Sequence, residues 1–71
     1  MAKKKTFVPY KGIVNVNRLN VRSAPTKDNE PLRIIELNDE VVIYNVKDEW
    51  GKISKTENEW VMLEFITRKK G

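Results

Sequence analysis

Hydrophobic and polar residues alternate strictly between residues 18 and 23. Leu19 and Val21 fall on one side of an extended backbone. Asn20 and Arg22 fall on the other side, and this period of two is typical of a half-buried β-strand. Pro25 ends the segment, because proline lacks the N–H that a strand ladder needs and restricts the residue before it. The pattern therefore predicts a strand followed by a loop.

Shorter segments with β-strand character occur before and after this strand. Residues 13–17 alternate, with Val14 and Val16 on one face. Residues 41–46 have the highest β-propensity, since all but Asn45 are β-branched or aromatic. Both faces of that run are apolar, so the pattern leaves its buried face undecided. Further strands are predicted at residues 32–37, 50–54 and 59–62, and residues 63–66 form either one helical turn or the last strand.

Turn-forming residues separate these segments. The longest connection is the loop at residues 24–31, which holds two prolines and no periodic apolar residues. A turn is predicted at residues 38–39, where Asn38 tolerates a positive φ better than most residues. Other turns are predicted at residues 11–12, 47–49 and 55–58. Short strands at this spacing predict an all-β fold, a small barrel of five to seven strands, with one helical turn near the C-terminus as an option.

The chain has 71 residues, enough for one domain, and its formal net charge of +4 is concentrated at the two ends. Three lysines at residues 3–5 and three basic residues at 68–70 leave a body with eight basic and ten acidic residues, or −2. We therefore expect a basic disordered tail at residues 1–6, a barrel at residues 7–67 and a second basic tail at residues 68–71. Nucleic-acid binding is disfavoured, because it would call for positive charge on the barrel itself.

The residue types that most catalytic sites need are missing. The chain has no cysteine and no histidine, which removes thiolate chemistry, disulfides, and the commonest general base and metal ligand. No nucleophile is therefore paired with a base, and we expect neither enzymatic activity nor a cofactor. Asp28, Asn29 and Glu30 supply oxygen atoms but lack the spacing of a calcium loop, so no metal site is predicted. The acid pairs at residues 39–40 and 48–49 fall in turns and are interpreted as solvated charges.

No targeting segment is visible in the sequence. No apolar stretch follows the lysines at residues 3–5, so no secretory signal is predicted. No run approaches the ~20 apolar residues of a membrane span. Three interpretations stay open: a cytoplasmic protein, a protein released by lysis, or a fragment of a larger protein.

Motifs at three places resemble the bacterial SH3 (SH3b) family of small β-barrels. Residues 19–25 read Leu-Asn-Val-Arg-Ser-Ala-Pro, close to the family's Leu-Asn-Val-Arg-Ser-Gly-Pro, with alanine at the usual glycine. Residues 50–53, Trp-Gly-Lys-Ile, correspond to a tryptophan followed by lysine and an aliphatic residue. Residues 59–61, Glu-Trp-Val, correspond to Gly-Trp-Val. The motifs occur in the family's order, cover residues 12–66 and imply an SH3-like barrel.

The resemblance implies a non-catalytic binding module. Members of the family are often attached to cell-wall hydrolases and bind peptidoglycan or its peptide bridges, whereas others occur in cytosolic or phage proteins. We therefore expect a module that recognises peptidoglycan or an extended wall peptide. The alternative is an intracellular or phage protein–protein adaptor that uses the same groove or a sheet edge, since function resides in sites rather than in folds.

Aromatic side chains are the best candidates for a ligand groove, because rings give a large contact area at low entropic cost. We expect an extended peptide to lie across the face carrying Tyr44 and Trp50, beside the loop at residues 24–31. Trp50 opens a strand and is expected to be partly exposed, whereas Trp60 is assigned to the core. Acidic residues near this face would favour an amine-bearing ligand. The predicted ligand-binding residues are Tyr10, Asp28, Glu30, Tyr44, Asp48, Glu49 and Trp50.

Arg22 has two candidate roles on the polar face of its strand. Its guanidinium could clamp a ligand carboxylate with two parallel hydrogen bonds, or it could pair with an acid of a neighbouring strand. The sequence favours the second role. For a peptide in a groove on so small a domain, we expect weak binding, ~10–100 μM.

Overall fold

Short antiparallel strands make up most of the molecule. The computed structural model describes residues 7–69. The elements are β1 (Tyr10–Val14), β2 (Arg18–Arg22), β3 (Pro31–Glu36), β4 (Glu40–Ile43), β5 (Asn45–Lys47), β6 (Trp50–Lys52), β7 (Trp60–Met62), a 3₁₀ helix (Leu63–Phe65) and β8 (Ile66–Arg68). The all-β fold class and the single helical turn near the C-terminus are confirmed. The described residues form eight strands rather than five to seven.

The strands form two antiparallel sheets, one in the order β4-β1-β8 and the other in the order β3-β2-β7-β6-β5. Tyr44 alone separates β4 from β5, and its N–H donates to the carbonyl of Lys52 at 2.7 Å. The chain therefore crosses between the sheets at Tyr44. The chain also changes sheet between β1 and β2, between β3 and β4, and, through the 3₁₀ helix, between β7 and β8. Joined in this way, the two sheets form a small barrel-like fold.

The core lies between the sheets and is built from the strand faces that the alternation predicts. Leu19 and Val21 of β2 are buried, at 4% and 0% exposure. They pack with three further buried side chains, Val14, Ile35 and Val61. Val16 is half-buried against this cluster. The period of two therefore identifies the inner face of β2 correctly, because burial of one face is what stabilises a strand of alternating polarity.

Gly12 lies inside β1, so the turn predicted at residues 11–12 is wrong. The residue is buried and pairs with Val41 on one side and with Arg68 on the other. A Cβ atom at this position would collide with Cγ2 of Ile66. Glycine is therefore needed here because β8 approaches closely. In the sequence alone, a lysine–glycine pair looks the same in a turn and in such a strand contact.

The run at residues 41–46 is two strands rather than one, because it breaks at Tyr44. Its buried face is settled by Ile43, which is fully buried, whereas Val41 and Val42 are half-buried. Asn38 has a φ of 74°, and its N–H donates to the carbonyl of Val14 at 2.9 Å. The predicted turn at this asparagine is therefore confirmed, with the positive φ that asparagine tolerates.

The C-terminal basic residues begin inside the fold. Arg68 belongs to β8, and its guanidinium lies 4.3 Å from the centre of the Tyr10 ring. The N–H of Lys69 donates to the carbonyl of Lys11 at 2.8 Å, and its Nζ forms an ion pair with Glu40 at 2.7 Å. Arg68 and Lys69 thus pack on the barrel, whereas the sequence pattern predicts a tail from residue 68 onwards. The predicted tail at residues 1–6 and the end of the second tail, residues 70–71, lie outside the described residues.

Candidate functional site

The outer face of the five-stranded sheet carries the tryptophans and several cations. Residues opposite each other in an antiparallel ladder share a face. Arg22 and Lys52 both lie opposite Trp60, and Trp50 lies opposite Met62. These side chains therefore share the face that points away from the buried core residues of the same strands. The strand alternation also places Arg18 and Asn20 on this face, along β2.

A groove of about 300 Å³ opens on this outer face. We call it the Trp50 groove. It is lined by Arg18, Leu19, Asn20, Arg22, Lys27, Trp50, Met62 and Phe65. It thus combines side chains from β2, β6, β7, the 3₁₀ helix and the loop between β2 and β3. Its volume is at the lower end of the range of small-ligand sites, ~300–1,000 Å³.

Trp50 is the deepest of the aromatic residues in the groove, and the expectation that it is partly exposed is wrong. The residue is 8% exposed, although it lies on the outer face and outside the main core cluster. The assignment of Trp60 to the core is also wrong, since Trp60 is only half-buried. The reason is that Val61, not Trp60, points inward from β7 and is fully buried.

Arg22 ties the long loop to the sheet. Its Nη1 donates to the carbonyl oxygen of Lys27 at 3.4 Å and to that of Asn29. Within the loop, the N–H of Asp28 donates to Oγ1 of Thr26 at 3.2 Å. These bonds hold the loop beside the groove, where Lys27 lines one wall. No ion pair joins Arg22 to an acid within residues 7–69, so the preferred role, pairing with an acid of a neighbouring strand, is wrong.

The groove is basic. Arg18, Arg22 and Lys27 line it, and no aspartate or glutamate does. The two ion pairs of the described residues lie elsewhere, at Arg33–Glu59 and Lys69–Glu40. Glu36 lies opposite Arg18 in the neighbouring strand, but no ion pair joins them. Among the described residues, the lining of the groove thus contains three cations and apolar side chains but no carboxylate.

Tyr44 and Trp50 do not share a cavity among those described. Tyr44 lines one cavity of about 380 Å³ with Asp39 and Glu40, and a second of about 360 Å³ with Lys52 and Lys55. The crossing between the sheets explains the separation, because it takes Tyr44 away from the outer face that Trp50 occupies. Tyr44 and Trp50 thus line different cavities.

The remaining predicted site residues lie outside the groove lining. Tyr10 is half-buried beneath Arg68, with its ring centre 6.1 Å from that of Phe7. The four acids are exposed: Asp28 and Glu30 on the β2–β3 loop, and Asp48 and Glu49 in the turn before β6. In sequence they adjoin groove residues, since Asp28 follows Lys27 and Glu49 precedes Trp50.

Trp50 is the one groove residue among the predicted ligand-binding residues. The other seven lining residues are not among them: Arg18, Leu19, Asn20, Arg22, Lys27, Met62 and Phe65. Arg18 could have been found, because it lies on the same face of the alternating strand as Arg22. Met62 and Phe65 carry no local signal, since they join the groove only through the pairing of β7 with β2 and the turn of the 3₁₀ helix.

Across residues 7–69, no helix has the length and apolar character that crossing a membrane requires. The sequence matched no protein-family model, and comparisons with curated proteins and with solved structures also produced no match.

Proposed function

We propose that this chain is a non-catalytic peptide-binding module of the bacterial SH3 type. In this proposal an extended cell-wall peptide, or peptidoglycan itself, binds in the Trp50 groove. The observation that carries the proposal is a groove with an aromatic floor beside the longest loop of the domain. Loops held by a rigid scaffold are common binding elements. The resemblance of residues 12–66 to bacterial SH3 sequences supports the choice of ligand.

The groove suits a peptide because it joins apolar and polar surfaces. Trp50, Met62 and Phe65 offer an apolar floor for an apolar side chain of the peptide. Asn20 lies exposed beside them and can donate to or accept from a peptide group. The loop wall is held by the Arg22 hydrogen bonds, so less of the site has to be ordered on binding.

Retention on purified peptidoglycan sacculi tests the proposal. The chain should sediment with sacculi, and Asn20→Tyr should reduce the bound fraction several-fold, because the new ring fills the groove. Asn58→Tyr is the matched control, since Asn58 is exposed in the loop between β6 and β7. Equal retention of both variants would place wall binding outside the groove. Failure of the unmodified chain to sediment would reject the wall ligand.

A protein–protein adaptor is the second candidate, and the edge of the larger sheet favours it. β3 pairs with β2 alone and forms one edge of that sheet. Leu32 and Ile34 are 53% and 43% exposed on it, and Leu37 follows at 45%. Exposed apolar side chains on an edge strand are suited to pairing with another chain. The sacculus experiment separates the two candidates, because an adaptor would not be retained by a wall stripped of protein.

A further inference from the structure

The cations of the Trp50 groove define which chemical group of a ligand it accepts. We infer that Arg18, Arg22 and Lys27 form a carboxylate site, so the groove binds the acidic end of a peptide. The inference rests on the proposed function and specifies its ligand. It departs from the sequence-based expectation of an amine-bearing ligand, because the acids behind that expectation do not line the groove.

Arg22 is placed to donate hydrogen bonds into the groove. It is half-buried, and the loop carbonyls of Lys27 and Asn29 engage only its Nη1 atom. A guanidinium has five N–H donors, and the described hydrogen bonds leave those on Nε and Nη2 unused. The loop bonds also restrict the rotamers of the side chain, so less entropy is lost when a carboxylate binds. A planar acid can therefore be held with two parallel bonds.

The groove floor strengthens this interaction. Trp50 is 8% exposed and lines the groove with Met62 and Phe65, so the cations share the groove with apolar side chains. Charge-assisted hydrogen bonds are stronger where the surroundings are less polar. Arg18 and Lys27 are exposed, and each adds a positive charge at the rim.

The charge distribution favours one carboxylate over a nucleic-acid backbone. Residues 7–69 have ten basic and ten acidic side chains, so the described body has no net positive field to attract a polyanion. Asp28 and Glu30 lie on the same loop as Lys27 and would repel neighbouring phosphates. A single acidic group on a peptide needs only the local cations.

Chemical modification of the ligand tests the inference. The probes are muropeptides released from sacculi, and the same muropeptides after carbodiimide amidation of their carboxyl groups. Affinities come from ¹H–¹⁵N shift titrations of the full chain. The amidated form should bind at least tenfold more weakly, a change of about 1.4 kcal/mol. Arg18→Gln and Lys27→Gln should each weaken binding of the acid form several-fold and leave the amide form unchanged. Lys55→Gln, outside the groove, should change neither.

The outcomes separate the inference from the proposed function. Equal affinity of the acid and amide forms, with shifts in the groove, would overturn the carboxylate site while leaving peptide binding intact. Absence of binding by either form would contradict the proposed function itself. Displacement of the acid muropeptide by a lower concentration of single-stranded oligouridylate would overturn the inference in favour of nucleic acid.

Discussion

At the residue scale, Trp50 contributes both to the stability of the domain and to its candidate site. Its ring is almost fully buried, yet it forms the floor of a groove that opens to solvent. Gly51, the next residue, points inward, and a Cβ there would lie 2.6 Å from Cδ2 of Leu63 and 3.2 Å from Cδ1 of Ile43. The tight packing behind Gly51 fixes the position of β6 and therefore of the Trp50 ring.

Alanine substitution of the two tryptophans should show their unequal burial. Trp50→Ala should cost roughly 3–5 kcal/mol of unfolding free energy, because it removes a buried ring and leaves a cavity. Trp60→Ala should cost about 1–2 kcal/mol, since its ring is half-buried. Urea unfolding followed by circular dichroism measures both values. A Trp60 variant that is as unstable as the Trp50 variant would contradict the assigned faces.

Asn38 gives a second residue-scale prediction, because its φ of 74° lies in the left-handed region. Asn38→Gly should change the unfolding free energy little, since glycine adopts this conformation freely. Asn38→Ala should lower it by about 1 kcal/mol, because a Cβ without a compensating polar group is strained there. Thermal unfolding of the pair checks this, and an alanine variant as stable as the glycine variant would argue against strain at the turn.

At the scale of elements, β8 depends on residues that the sequence pattern assigns to a tail. A chain ending at Thr67 loses Arg68, which pairs with Gly12 and stacks on Tyr10. It also loses the backbone bond from Lys69 to Lys11. We expect such a chain to be less stable by about 1–2 kcal/mol. A chain ending at Lys69 is the control, because it keeps the contacts of both Arg68 and Lys69. Equal stability of both truncated chains would show that the contacts of Arg68 and Lys69 contribute nothing.

The contact between β4 and the end of β8 predicts a pH dependence. The hydrogen bond and charge of Lys69 hold the pKa of Glu40 below its ordinary value of 4.5. Because the folded-state pKa of Glu40 is lowered, the contact with Lys69 stabilises the folded protein at neutral pH. This stabilisation is lost as the pH falls below about 4.5 and through the folded-state pKa of Glu40. NMR titration of the Glu40 carboxyl should show the lowered value, and Lys69→Gln should move it back up. An unchanged midpoint of the Glu40 titration in the Lys69→Gln variant would show that Lys69 does not lower the pKa of Glu40.

The elements also show where local pattern is informative. The limits of β2 and the inward direction of Leu19 and Val21 follow from strict alternation, because one face of that strand is polar. Residues 41–46 are apolar on both faces, so alternation cannot reveal that the chain changes sheets at Tyr44. Gly12 likewise looks like a turn residue, since the close approach of Ile66 is a tertiary contact.

At the scale of the whole molecule, the fold class is predictable and the site is not. Short strands separated by turns follow from local propensities and predict a small barrel. The described residues form eight such strands, more than the predicted five to seven. The groove depends on the pairing of β2 with β7. This pairing places Arg22 opposite Trp60, which lies 38 residues further along the chain. No short-range pattern specifies that neighbour. The pairing separates Trp50 from Tyr44 and places it beside cations instead of acids.

Shift mapping on the full chain tests the central claim, that the Trp50 groove is the peptide-binding site. Titration of the ¹⁵N-labelled protein with muropeptides should move the indole N–H of Trp50 and the amides of Asn20 and Met62 most, together with those of residues 26–29. Tyr44 should change little, because it lines other cavities. Shifts confined to the Tyr44 cavities or to residues 55–58, with the Trp50 indole unmoved, would contradict the claim.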